Sequence, residues 1–209
     1  MTDGARPAPL PWPPQPVVLE GEHLRLEPLG PEHAEGLAGA IADGGLDELW
    51  FTIVPAPAAL PGWIDAALAA RAAGTALAFA VRRRRDGRIV GSTRYMNVEP
   101  VQRRLEIGTT FYAASVQRSA LNTECKRLLL GHAFDALGCI AVEFRTHWFN
   151  QRSREAIARL GAKQDGVLRQ HQRLPDGSLR DTVVFSIIDS EWPAVRRHLE
   201  FRQARLPAP

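Results

Sequence analysis

Cysteine and lysine are both scarce in this chain of 209 residues: cysteine stands only at Cys125 and Cys139, and lysine only at Lys126 and Lys163. Two cysteines with no partners at metal-ligand spacing exclude a disulfide framework and a zinc site, and fit reduced thiols in a cytoplasmic protein. No apolar run approaches the roughly 20 residues that span a bilayer, which argues against a membrane protein. The N-terminal stretch lacks the charged-then-apolar order of a signal peptide. The formal charge of +3 and pI near 9.3 come almost wholly from arginine. Without a dense basic stripe, that balance is weak ground for a nucleic-acid partner.

Apolar residues make up 45% of the chain, enough for a sizeable core. The length suits one domain, expected over 18–200, with a proline-rich arm at 1–17 and a tail at 201–209. Prolines between 7 and 16 remove backbone donors and predict an extended arm on which Trp12 is a candidate for docking.

Alternation at Leu24, Leu26 and Pro28 predicts a strand, and Pro31 opens a helix carrying Leu37 and Ile41. The stretch 44–61, broken by prolines, reads as a substrate-side lid. A second helix runs from Leu60 to Gly74. Two strands, 76–81 and 88–96, follow, with Asp86-Gly87 as their hairpin signal. The run Arg82–Arg85 then sits at a solvated hairpin tip; its alternative, a phosphate or RNA contact, predicts steep salt dependence. A strand at 105–112, a helix ending at Gly138 and a strand at 140–146 form a right-handed parallel crossover, so the two strands should lie side by side. A short helix, 151–160, leads to a closing hairpin turned at Pro175-Asp176-Gly177, and Ser190 is positioned to cap a last helix.

Small and polar residues over 116–124 feed directly into a helix N-terminus, whose free amides and partial positive charge suit a phosphate. Together with Leu24-Arg25-Leu26-Glu27-Pro28-Leu29, Glu106-Ile107-Gly108, Asn150-Gln151-Arg152-Ser153 and Leu160-Gly161-Ala162, this loop makes the chain over 18–199 resemble the GNAT superfamily of acetyltransferases. Within it, the nearest resemblance is to the ribosomal-protein N-terminal acetyltransferase branch. The resemblance implies an α/β (α+β) fold with a mixed, mostly antiparallel central sheet, one parallel strand pair and flanking helices. It also implies acetyl-CoA as cosubstrate and direct transfer of the acetyl group to an amine in a ternary complex.

The family loop pattern, Gln/Arg-x-x-Gly-x-Gly/Ala, maps Gln117 onto its first position and brings Arg118, Ser119, Ala120, Leu121, Asn122 and Thr123 to the pyrophosphate. Ala120 and Asn122 depart from it, and Ala120 substitutes for glycine freely only at negative φ, the left-handed alternative costing about 1–2 kcal/mol. Asn150 falls where the family contacts pantetheine, although an ordinary N-cap accounts for it equally. Ser153 shares a helical face with Ala156, Ile157 and Leu160 and is the candidate acid for the leaving thiol. Backbone amides of Thr110 and Phe111 are candidates for the oxyanion and pantetheine contacts. Glu106 is the candidate base, a structural ion pair being its plainer reading, and His147 borders the cleft as a polar surface group. The branch's carboxylate on the closing hairpin is replaced by His171-Gln172. Trp50, Phe51 and Tyr95 are expected on the acceptor side. An α-amine, about a tenth neutral at pH 7, needs less help than a lysine, so an N-terminal or small amine is the expected acceptor. A non-catalytic CoA sensor or protein-interaction module is the alternative, and a homodimer stays open.

Overall fold

Strand-forming segments alternate with amphipathic helices along the chain, and in the computed structural model, which describes residues 9–209, they build one eight-stranded sheet with helices on both faces. Residues 1–8 of the expected arm lie outside the described residues. The strands are β1 (Leu19–Glu20), β2 (Leu24–Pro28), β3 (Leu77–Arg83), β4 (Ile89–Glu99), β5 (Arg104–Tyr112), β6 (Ala141–His147), β7 (Lys163–Arg173) and β8 (Leu179–Ile188). Their order is β1-β2-β3-β4-β5-β6-β8-β7. The β5–β6 pair is parallel, as the strand–helix–strand pattern requires, and every other neighbouring pair is antiparallel.

Side-chain alternation sorts the helices. One face of the sheet, with Phe79, Tyr95, Ile107, Val142 and Phe185, packs against α3 (Ala120–Gly131), α4 (Gln151–Ala158) and α5 (Trp192–Gln203). The opposite face, with Ala78, Ala80 and Phe111, packs against α1 (Ala34–Ala42) and α2 (Leu60–Ala72). The five helices are all too short or too polar to cross a membrane. The stretch expected as a lid holds two 3-10 turns, Leu46–Glu48 and Pro57–Ala59, before α2 starts at Leu60, and leaves Trp50 and Ile53 exposed.

The arginine run is largely spent within the chain. Arg82 forms a two-pronged pair with Glu27, Arg83 pairs with Asp86, and Arg84 reaches the carbonyl of Gly21. Arg83 holds the Asp86 carboxyl down to about 2. The described part of the N-terminal arm has no regular structure but is docked: the Trp12 indole N–H donates to Leu137 O at 3.0 Å beneath the Arg103 guanidinium. Ser190 does not cap α5. That helix starts at Trp192 without a side-chain cap and is anchored by the Trp192 indole N–H on Asp135.

Glu124, in the first half of α3, is fully buried. Its carboxylate accepts the backbone N–H groups of Glu22 and His23, the latter at 3.0 Å, and the Gln203 amide of α5 at 3.2 Å. The Gly21 backbone lies so close that a Cβ there would stand 2.4 Å from Glu124 Oε1. Removing the carboxylate strands two backbone donors, so Glu124→Ala should lower unfolding free energy by about 2–4 kcal/mol in urea denaturation.

Candidate active site

Parallel strands β5 and β6 pair only from Arg104–Glu106 to Ala141–Glu143 and then part. Beyond that point β6 stays bonded to β8 as far as His147 opposite Thr182, while β5 stays with β4. A bulge places Thr109 and Thr110 opposite Thr93 alone, with Thr109 left-handed at φ 46°. Bulges of this kind take residues out of the ladder and re-aim the strand. The resulting gap opens into a cavity of about 810 Å³ that reaches from the start of α3 to the α1–α2 face of the sheet.

Of the expected site residues, Glu106, Thr110, Phe111, Gln117, Arg118, Ser119, Asn122, Thr123, Asn150, Ser153 and Phe51 line this one cavity. Trp50 stands at its rim, its ring 5.1 Å from that of His147 and 5.9 Å from that of Phe149. Tyr95 does not belong here. It points to the other face, is fully buried, and donates its hydroxyl to Leu129 O at 2.7 Å. The period-two pattern of β4 could not reveal this, because both faces of a central strand are covered.

The loop before α3 turns left-handed at Arg118, φ 62°, and not at Ala120, which begins the helix as a buried residue. Alanine therefore replaces glycine without a left-handed penalty. Ser119 is the N-cap, accepting Leu121 N–H at 3.3 Å, and Asn122 lies one step further into the helix. Gln117 is braced between Tyr112 O and the Arg152 guanidinium. Two assignments need correction. Ala120 N–H is donated to Pro207 O at 2.9 Å and Leu121 N–H to the Ser119 hydroxyl, so neither is free for a ligand in this conformation. Arg118, Ser119, Asn122 and Thr123 line the cavity at the positive end of the helix.

Asn150 is the N-cap of α4, accepting Ser153 N–H at 3.0 Å, and it also lines the cavity, so the two readings coexist. Glu106 is 5% exposed. Its Oε2 accepts the Asn97 amide at 2.7 Å and lies 3.5 Å from Arg145. Burial pushes its carboxyl above the ordinary value, against the opposing pull of Arg145 and Asn97.

The chain carries an acetyltransferase domain of the GNAT type, matched by the family model over residues 23–163. It belongs to the GNAT acetyltransferase family. A GCN5-related N-acetyltransferase from Brucella melitensis is similar at 31% identity and TM-score 0.81, over 91% of this chain and 86% of that one. RimJ of Mycobacterium smegmatis, solved in complex with CoA-disulfide, shares the fold at 22% identity and TM-score 0.77, over 93% and 98%. The ribosomal-protein-S5-alanine acetyltransferase of Vibrio fischeri shares it at 16% and 0.68, over 84% and 98%. No curated protein matches the chain in sequence. Family membership makes this GNAT protein an acyltransferase fold for acetyl transfer from acetyl-CoA.

The most consequential residue missed in the sequence is Lys126. Its ammonium lies in the mouth of the β5–β6 gap, 2.7 Å from Thr110 Oγ1 on β5, 3.4 Å from Thr93 Oγ1, and 6.0 Å from the Phe144 ring on β6. It forms no ion pair within 4 Å among the described residues, and it lines the cavity. Burial lowers its pKa from 10.5 to about 8. The signal was there: Thr123, Lys126 and Leu130 fall on one buried stripe at helical spacing. His147, read as a surface group, is also buried, with Nδ1 accepting Phe149 N–H at 3.1 Å.

Two outcomes follow from this geometry. The folded chain sheds the Lys126 proton near pH 8 and the unfolded chain near 10.5, so this group's contribution to stability rises between those values and is lost as pH falls through 8. The span is about 3 kcal/mol. Lys126→Met lacks that component, and paired urea titrations without CoA should find the variant more stable at pH 7, with the difference shrinking towards pH 10. Deleting residues 204–209 frees Ala120 N–H, and calorimetry should then show CoA binding tightened by roughly three- to tenfold.

Proposed function

We propose that this GNAT protein transfers the acetyl group of acetyl-CoA to the neutral form of an N-terminal or small-molecule amine, both substrates being bound at once. The observation that carries this reading is the continuity of one cavity through the β5–β6 gap. An anion-suited helix start lies at one end, and the buried carboxylate Glu106 lies on the opposite face.

The residues fit acetyl-CoA. Arg118 and Asn122 offer a cation and a helix-start amide for phosphate, and the bulge at Thr109 and Thr110, with Phe111 next to it, lies along the gap where β5 no longer pairs with β6. Asn150 and Ser153 flank the gap from α4. Acetyl-CoA supplies an activated acyl carbon and a thiol leaving group. Amides at Thr110 and Phe111 stabilise negative charge on the carbonyl oxygen, and the Lys126 ammonium beneath them adds positive charge in a dry site, where it acts most strongly. Ser153, which lines the cavity from α4, donates to the departing sulfur in this reading. Glu106, made more basic by burial, takes the amine proton directly or through water. The Trp50, Phe51 and Phe149 rings wall the acceptor's entry.

A non-catalytic CoA-binding module is the second reading, favoured by the Pro207 carbonyl on the Ala120 amide. The two differ in one assay: CoA released on adding amines to the acetyl-CoA complex supports the enzyme, and binding without release supports the module.

Micromolar acetyl-CoA binding is expected by titration calorimetry, and Asn122→Arg in the first turn of α3 should abolish it. Binding that survives this change would place the cofactor elsewhere, and none to the folded native chain would sink the reading. In kinetics, activity requires ionised Glu106, so kcat/KM should rise with pH through a value above 4.5 and again as the acceptor amine loses its proton. Glu106→Gln should remove the lower limb and cost about a hundredfold or more in rate; a small loss with an unchanged profile would reduce Glu106 to a structural partner of Arg145.

A further inference from the structure

On the α1–α2 face, the half of the cavity assigned to the acceptor contains a guanidinium with no carboxylate partner among the described residues. Arg180, on β8, is 9% exposed and lines the cavity. Its Nε donates to Thr182 Oγ1 at 3.1 Å, and Thr182 is in turn held by His171 Nδ1 at 3.1 Å, so the head group is fixed in place. It takes part in no ion pair within 4 Å among the described residues. The carboxylates whose fields reach it or its neighbour His147 are committed elsewhere: Glu106 to Asn97 and Arg145, and Asp181 to Arg169 and the Gln170 N–H.

His147 adds a second vacant donor beside it. The two are adjacent because His147 pairs with Thr182 across the β6–β8 ladder and feels the Arg180 charge. His147 is 3% exposed, and its Nε2 is buried with no hydrogen-bond partner among the described residues. Since Nδ1 accepts Phe149 N–H, the neutral ring carries its proton on Nε2. Desolvation, with Arg180 acting in the same sense, keeps that ring neutral near pH 7. A buried guanidinium whose Nη groups have no hydrogen-bond partner among the described residues, and an imidazole N–H likewise without one, both belong to residues lining one cavity and form a donor pair matched to a planar anion.

We infer that Arg180 and His147 form a carboxylate subsite in the acceptor half of the cavity, and that the acceptor is an amine that itself carries a carboxylate. Two sources share this chemistry: a free α-amino acid, and a peptide N-terminus whose first side chain is acidic. The subsite also explains how a site with excess positive charge tolerates an amine: the carboxylate offsets the guanidinium, and the guanidinium favours the neutral amine over the ammonium. This inference rests on the acetyl-transfer reading for its consequence, but not for its measurement.

The test is binding by calorimetry to the CoA-loaded protein and, separately, to the protein without CoA. The probes are a panel of α-amino acids, each against its α-amide, and the peptide Asp-Ala-amide against Asn-Ala-amide. Expected is a preference of about tenfold or more for the acid in one of the two series, which identifies the source. Arg180→Gln should erase that preference and Arg180→Lys should retain part of it, with melting curves confirming that both variants fold. Equal affinity for acids and amides in both series, or a preference that survives Arg180→Gln, overturns the subsite. Failure of CoA itself to bind defeats the acetyl-transfer reading instead, and acid-selective binding to the unloaded protein still decides this one.

Discussion

Strand β6 cannot serve two neighbours along its whole length. It keeps its ladder with β8 to the end, through His147 opposite Thr182, and gives up β5 after Glu143. The bulge at Thr109 and Thr110 accentuates the parting, because it turns β5 just where pairing with β6 has ceased. Most of what is chemically distinctive in the molecule follows from that division of the sheet. Backbone donors that a continuous ladder would have consumed become free, and an opening joins two faces that a closed sheet would separate. The buried cation Lys126 sits at the mouth of that opening, and the acidic and basic groups of the opposite face sit at its exit.

The architecture was legible from the sequence because it depends on period and punctuation. The strand–helix–strand unit between Leu105 and Thr146 announced the parallel pair, Asp86-Gly87 the hairpin, and the closing pair of strands their turn. Individual faces were less legible. Tyr95 stands on a central strand covered on both sides, so alternation alone could not say which side it joins. Arg118, not Ala120, takes the left-handed turn, and nothing in composition distinguishes a strained arginine from a solvated one. Buried polar residues were the hardest to recognise. His147 was read as a surface group, Lys126 and Arg180 drew no attention because lysine and arginine are by type surface residues, and only the packing of α3, β6 and β8 shows that water is withheld from all three.

Charge is distributed unevenly between the two halves of the cavity. On the α3 side, the positive ends are backbone amides, Arg118 and Lys126, arranged around a channel in which, among the described residues, no carboxylate lies in hydrogen-bond range of the lysine. On the α1–α2 side, Glu106 and Glu143 share Arg145, Glu143 also takes Arg104, and Arg180, like Arg94 on Trp63, has no carboxylate partner among the described residues. The cations of both halves are desolvated, so the anionic ligands proposed above would offset a real burial cost in each.

The buried carboxylate of Glu124 gathers donors from segments 102 and 79 residues away in sequence. Closing loops of that length costs entropy before any contact repays it, so α3 cannot be locked onto the sheet by local interactions alone. The helix that opens the cavity should be among the late parts of the molecule to settle during folding. Its anchor is complete only when the turn between the first two strands and the last helix have both arrived.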